Sequence, residues 1–208
     1  MLKLSVPVLA VAVTFAGTLS AGAYETYKVV RIKGGDSLVI REEPHDGGKP
    51  ADRKELGRIP AGATNVLGTG RSKLIGKQRW YEISFGKTNG WVNGTFLEGT
   101  DPVDLQGATF QCAGAEPFWG VTLGPQGGEY SDPEAETPRT LALDRVQPAT
   151  ARLFPLLYRM KAPGGPTYRA TVSRQEWCSD GMSDYDFGFQ VLLTDDEVFQ
   201  QGCCFLRR

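Results

Sequence analysis

At 208 residues, with 40% apolar, 10% aromatic and 23% charged side chains, the chain has a globular composition, not a disordered or collagen-like one. Its 23 basic and 24 acidic residues nearly cancel, to a formal charge of -1, which disfavours nucleic acid or another polyanion as partner. The 26 glycines and 13 prolines call for many turns and short elements, in one or two domains of roughly 100 residues each.

Residues 1–23 read as a cleavable signal peptide. Lys3 supplies the positive start, Leu4 to Ala16 is mostly apolar, and Ala21-Gly22-Ala23 places small side chains where signal peptidase requires them, so cleavage is expected after Ala23. The competing reading is an uncleaved anchor, because no charge interrupts Leu4 to Ala23. Thr14, Gly17, Thr18 and Ser20 dilute the apolarity and favour cleavage. No cysteine follows the site, so a lipid anchor is not indicated. The mature chain is expected to be periplasmic or secreted, with no integral membrane association.

Residues 24–98 alternate short β-forming runs with turn formers. Tyr27 to Ile32 and Leu38 to Arg41 are strand candidates punctuated by Gly34-Gly35-Asp36. Glu42 to Arg58 is expected to be a long charged loop, Asn65 to Leu67 another strand, and Gly68 to Gln78 a second polar loop. Trp80 to Phe85 and Gly90 to Val92 form a hairpin around Gly86 to Asn89. No sustained 3.6-residue apolar period marks a helix.

Three blocks carry a resemblance. Gly35 to Pro44, Gly57-Arg58-Ile59-Pro60-Ala61-Gly62, and Trp80-Tyr81-Glu82-Ile83 with Gly90-Trp91-Val92-Asn93-Gly94-Thr95-Phe96-Leu97 resemble a bacterial SH3 domain. The resemblance implies a small β barrel over residues 24–98. It also implies binding to wall material, with peptidoglycan or an extended peptide as ligand, or another envelope protein as partner. The two lengthened loops border the groove of such a domain, so the ligand does not carry over. Tyr27, Trp80, Tyr81, Trp91 and Phe96 are the candidate binding residues: strand alternation turns about half of such rings inward, and the others stack on sugar or grip a peptide. Arg71, Lys73, Lys77, Arg79 and Lys87 are candidates for a basic rim.

Residues 99–107 read as a linker rich in turn formers. The second domain, 108–208, shows strand candidates at Thr109 to Cys112, Phe118 to Leu123, Thr140 to Val146, Leu156 to Met160, Thr167 to Val172, Phe187 to Leu193 and Val198 to Phe205. Phe187, Phe189, Val191 and Leu193 keep the period of two expected of a strand with one buried face. Gly127-Gly128 and Gly164-Gly165-Pro166 are expected turns, and Asp132 to Thr137 and Gln147 to Phe154 are the places for a helical turn. Cys112 to Trp119, Trp177 to Asp184 and Gly202-Cys203-Cys204 resemble a family of bacterial envelope proteins and lipoproteins built as a small β domain. That resemblance implies location and fold, and no chemistry. The expected fold class is all-β, an SH3-like small barrel followed by a disulfide-stapled sandwich or barrel.

All four cysteines lie in the second half, and an even number in an exported chain implies two disulfides. Cys203 and Cys204, adjacent in a strand, point to opposite faces, so Cys112 and Cys178 each take one of them. A zinc site of all four cysteines is the weaker reading, because the only histidine, His45, lies in the other half.

The same inventory weighs against two families of wall hydrolase. A cysteine peptidase needs a free thiolate beside a histidine, and a zinc amidase needs several ligands at metal spacing. A carboxylate pair is the remaining enzymatic option: Glu116 beside Pro117, Phe118 and Trp119 as general acid, with Asp180 or Asp184 as partner. The structural alternative has Glu116 accepting backbone hydrogen bonds at a turn. Asp180 to Asp186 could collect oxygens around calcium but lacks EF-hand spacing. The expectation is a non-catalytic binding protein of the bacterial envelope with no cofactor and no metal, and wall-glycan hydrolysis by Glu116 is the alternative.

Overall fold

The structure, a computed structural model, describes residues 26–47, 54–100, 104–134, 136–195 and 197–207. The signal peptide expected over residues 1–23 lies outside them. Among the described residues no helix is long and apolar enough to cross a membrane.

The fold is all-β. The first half holds β1 (Thr26–Val29), β2 (Ser37–Arg41), β3 (Glu55–Pro60), β4 (Val66–Ile75), β5 (Gln78–Phe85), β6 (Thr88–Asn93) and β7 (Leu97–Gly99), with a 3-10 turn at Gly94–Phe96 before β7. The strands pair antiparallel in the order β3-β2-β6-β5-β4-β1-β7, a small open barrel. Alternation sends Leu38 and Ile40 of β2, Tyr81 and Ile83 of β5 and Val92 of β6 into one core with Tyr27, Val29, Ile59, Val66 and Leu97. The neighbours of those strand residues, Trp80, Glu82 and Trp91, take the opposite face.

Two loop expectations require correction. Glu55–Pro60 is a strand, Ile59 lying opposite Leu38, so the charged loop ends before Glu55. Gly68 to Ile75, read as loop, continues β4, because tertiary partners hold its Thr69, Arg71 and Ser72 side chains. The Thr69 hydroxyl donates to Glu82 Oε2 at 2.7 Å, Arg71 Nη1 donates to Glu82 Oε1 at 2.9 Å, and Arg79 Nη1 donates to the Ser72 hydroxyl at 3.0 Å. Thr69 and Ser72 are buried there. Buried polar side chains settle in a strand when they find partners, and among these three residues Arg71 Nε alone is left without one.

The second half is a meander of β8 (Thr109–Gly114), β9 (Trp119–Gly124), β10 (Gly127–Ser131), β11 (Arg139–Pro148), β12 (Leu156–Lys161), β13 (Thr167–Ser179), β14 (Asp186–Thr194) and β15 (Phe199–Arg207). Each strand pairs antiparallel with the next, and β15 returns to β8, closing an eight-stranded barrel. Barrels of this size are just wide enough for side chains to fill. Phe110, Leu123, Leu141, Tyr158, Met160, Tyr168 and Phe189 do so. Gly127-Gly128 lies in β10 instead of a turn. A Cβ on Gly128 would sit 2.0 Å from the Thr122 carbonyl oxygen, so the close strand approach requires glycine. The described residues of Asp132 to Thr137 and Gln147 to Phe154 are turns and strand ends, not helix.

Cys112 bonds to Cys204, directly opposite it across β8 and β15, and Cys178 bonds to Cys203. The first bridge lies in the barrel core and the second in a small outer cluster with Phe187, Tyr185 and Phe205, so the adjacent cysteines do face opposite ways.

The connection between halves is shorter than residues 99–107. Gly99 pairs with Tyr27, the Thr100 amide donates to the Thr26 carbonyl, and Leu105 is buried in the second core. β4 and β14 meet at a single ladder pair, Ser72 and Asp186, which links the two barrels. The seam carries an Arg79–Asp186 ion pair at 2.5 Å, a Lys73–Asp184 pair at 3.4 Å, and the Trp91 ring stacked on Tyr185 at 5.4 Å.

Candidate functional site

The five aromatic candidates of the first barrel do not form one surface. Tyr27 and Tyr81 face each other inside the core, their ring centroids 5.6 Å apart. Trp91 takes the outer face, yet Tyr185 covers it there and the Arg71 guanidinium lies over both rings. Trp80 also takes the outer face and is covered by the His45 ring at 4.7 Å. These four side chains are buried, and Phe96 is half-buried.

Two of the five, Trp80 and Phe96, line a groove of about 540 Å³ between the β1–β2 loop, β2, and the loop that carries His45. Arg31, Lys33 and Arg41 border it, against Asp36 and Asp46. Arg31 Nη1 donates to the Thr95 carbonyl at 2.6 Å, tying the β1–β2 loop to the 3-10 turn. His45 Nδ1 accepts from the Gly47 amide at 3.1 Å, which orients its ring. The Trp80 indole Nε1 is buried and has no hydrogen-bond partner.

The basic rim expected of Arg71, Lys73 and Arg79 is used at the seam instead, on Glu82, Asp184 and Asp186. The groove's own cations, Arg31, Lys33 and Arg41, flank β2 and its preceding turn. Their clustering round Ile32 and Val39 was the signal available in the sequence.

Glu116 lies in the second barrel, on the β8–β9 loop, with φ of 59°. It lines a hollow of about 800 Å³ at one mouth of the barrel, and neither Asp180 nor Asp184 lines that hollow. Asp180 closes its own turn, accepting from the Met182 amide at 3.0 Å, the Ser183 amide at 2.9 Å and the Ser183 hydroxyl at 3.0 and 3.1 Å. Burial pushes its pKa up, but these hydrogen bonds outweigh burial and leave the carboxyl below the usual range. Asp184 and Asp186 go to the seam. Among the described residues no group of three or more His, Cys, Asp or Glu is placed to hold a metal ion.

A row of rings floors the mouth. Trp119 stacks on Tyr130 at 6.4 Å, and Tyr130 leans on Tyr168 at 5.5 Å. Arg139 Nη1 donates to the Tyr168 hydroxyl at 3.1 Å, and Nη2 lies 3.3 Å from Asp132 Oδ2. The Tyr130 hydroxyl donates to Gln200 Oε1 at 3.3 Å. Burial is the main cause that pushes the Tyr130 phenol above its ordinary value. The floor is therefore buried and hydrogen-bonded through Tyr130 and Tyr168, while Phe118 and Phe199 stand exposed at the rim.

No protein-family model, curated protein or solved structure matches this chain.

Proposed function

We propose that this chain is an exported, non-catalytic binding protein of the bacterial cell envelope whose first barrel attaches to peptidoglycan or an extended peptide through the groove bounded by Trp80 and Phe96. The observation that carries the reading is that Trp80, whose buried Nε1 has no acceptor, lines that groove. A buried donor left unpaired costs about 1–3 kcal/mol, which a ligand oxygen recovers on binding. His45, half-buried on its loop, covers the Trp80 ring beside that groove. A groove of about 540 Å³ falls within the range that holds small ligands or a short chain segment. Three cations against two carboxylates suit the carboxylates of wall peptides. The two disulfides fit an oxidising, exported setting.

The test is co-sedimentation of the mature protein with insoluble peptidoglycan. The protein is expected in the pellet at low salt, and Lys33→Glu/Arg41→Glu is expected to leave it in the supernatant. Trp80→Phe, which keeps a large ring and deletes the donor, is expected to weaken retention. If the wild-type protein stays in the supernatant at every salt concentration, wall attachment is refuted and a protein partner becomes the reading. Wall-glycan hydrolysis by Glu116 has weaker support, because its hollow is lined by neither Asp180 nor Asp184. Release of soluble glycan, abolished by Glu116→Gln in a protein of unchanged stability, would reverse that preference.

A further inference from the structure

The mouth of the second barrel lies apart from the first barrel's groove and shares none of its residues. Its hollow of about 800 Å³ adjoins a second one of about 460 Å³, and Arg139, Asp195 and Glu197 line both. The larger hollow alone has far more room than a single small ion needs.

Three features give the occupant's chemistry. The floor is the Trp119–Tyr130–Tyr168 row, nine-tenths or more buried and held by Arg139 and Gln200. Above it stand Phe199, 73% exposed, and Phe118, 57% exposed, which both line the hollow and so offer apolar rings to whatever occupies it. Glu116, Asp132, Glu134, Asp195 and Glu197 face this space against a single guanidinium, Arg139, which Asp132 already pairs. Among the described residues no three of these carboxylates are grouped to hold a metal ion. Exposed rings beside an excess of carboxylates complement a chain that presents ammonium or guanidinium groups on apolar stems.

We propose that this mouth is a second binding site, for an extended peptide segment of a partner protein bearing lysine or arginine beside apolar residues. Its cationic heads meet Glu134 and Glu197, and its apolar stems lie against Phe118 and Phe199. The inference does not depend on the first barrel's ligand.

The experiment titrates the intact disulfide-bonded protein with three probes: acetyl-Leu-Lys-Leu-Lys-Leu-amide, the same peptide with Glu for Lys, and spermidine. Binding is followed by calorimetry and by amide shifts of the rim loops. The lysine peptide is expected to bind and shift the amides of Glu116, Phe118 and residues 197–199, and the glutamate peptide to do neither. Glu134→Lys/Glu197→Lys should weaken the lysine peptide about tenfold or more, by reversing two rim charges. Phe199→Ser, a change at an exposed side chain, should weaken it severalfold while thermal unfolding stays unchanged. Lys33→Glu/Arg41→Glu in the first groove should leave it unaffected, which separates this site from the proposed wall attachment. Equal binding of the two peptides, no binding of either, or shifts confined to the first barrel would overturn the proposal. Spermidine binding as tightly as the lysine peptide would overturn the choice of an extended chain.

Discussion

Removing the two disulfides one at a time should cost unequal amounts, because they close loops of unequal length. Cys112–Cys204 spans 92 residues and Cys178–Cys203 spans 25. In the chain-entropy treatment the longer loop restricts the unfolded chain by about 4.6 kcal/mol and the shorter by about 3.5 kcal/mol. Native contacts widen the gap. Cys112 and Cys204 belong to the main core, with Cys204 fully buried, whereas Cys178 and Cys203 sit in a small outer cluster. Truncating core atoms adds the cost of the space left behind. The perturbation is therefore two double variants, Cys112→Ala/Cys204→Ala and Cys178→Ala/Cys203→Ala, each leaving the other bridge intact. Urea unfolding followed by circular dichroism reads the stability, and amide exchange locates the loss. The first variant is expected to lose about 4–6 kcal/mol and the second about 3–4 kcal/mol. Exchange of the first barrel's β5 amides should change little in the first variant, since that barrel contains no cysteine. If the outer pair costs as much as the inner pair, or if both cost under about 1 kcal/mol, the loop-length argument fails.

Two further predictions concern the second barrel. Tyr158 is fully buried, its hydroxyl has no partner, and burial pushes its pKa from 10.0 to about 12. Below pH 10 the phenol is neutral folded and unfolded; above it only the unfolded chain ionises, so stability falls by roughly 2–3 kcal/mol as pH rises towards 12. Tyr158→Phe should remove that part of the alkaline loss and leave neutral-pH stability unchanged or higher, and a large destabilisation at pH 7 would show that the hydroxyl is satisfied. A Cβ on Gly114 would sit 2.4 Å from Trp119 Nε1 and 2.7 Å from the Gln201 carbonyl oxygen. Gly114→Ala should therefore destabilise by about 1–3 kcal/mol and shift Trp119 fluorescence, measurable in one urea titration.

Local pattern carried much of this fold and little of its surfaces. Strands with one apolar face, such as Phe187 to Leu193, were legible because a period of two needs only neighbouring residues. The division of the cysteines was legible for the same reason: adjacent positions in a strand face opposite ways. Gly68 to Ile75 was not legible, because its composition is that of a loop and its stability comes from Glu82 and Arg79 on the next strand. Gly127-Gly128 misled in the other direction, since the approach of Thr122 that requires glycine is a contact between strands.

The aromatic candidates show where such reasoning stops. Alternation separates Tyr81 from Trp80 and Val92 from Trp91 correctly, and from it the outward rings are expected to be open to a ligand. That step fails because an outward face is free only if nothing else packs on it. Trp91 is covered by Tyr185, 94 positions later in the chain, and Arg71 lies across both rings where solvent would otherwise reach. Trp80 is covered by the chain's only histidine. The seam consumes the surface that alternation assigned to binding, together with three of the five cations expected to rim it. Of the five rings, Trp80 and Phe96 line a groove, with cations supplied by the turn before β2 and by Arg41 at its end. A binding surface is what is left after tertiary packing has taken its share, and that remainder has no periodicity of its own to read.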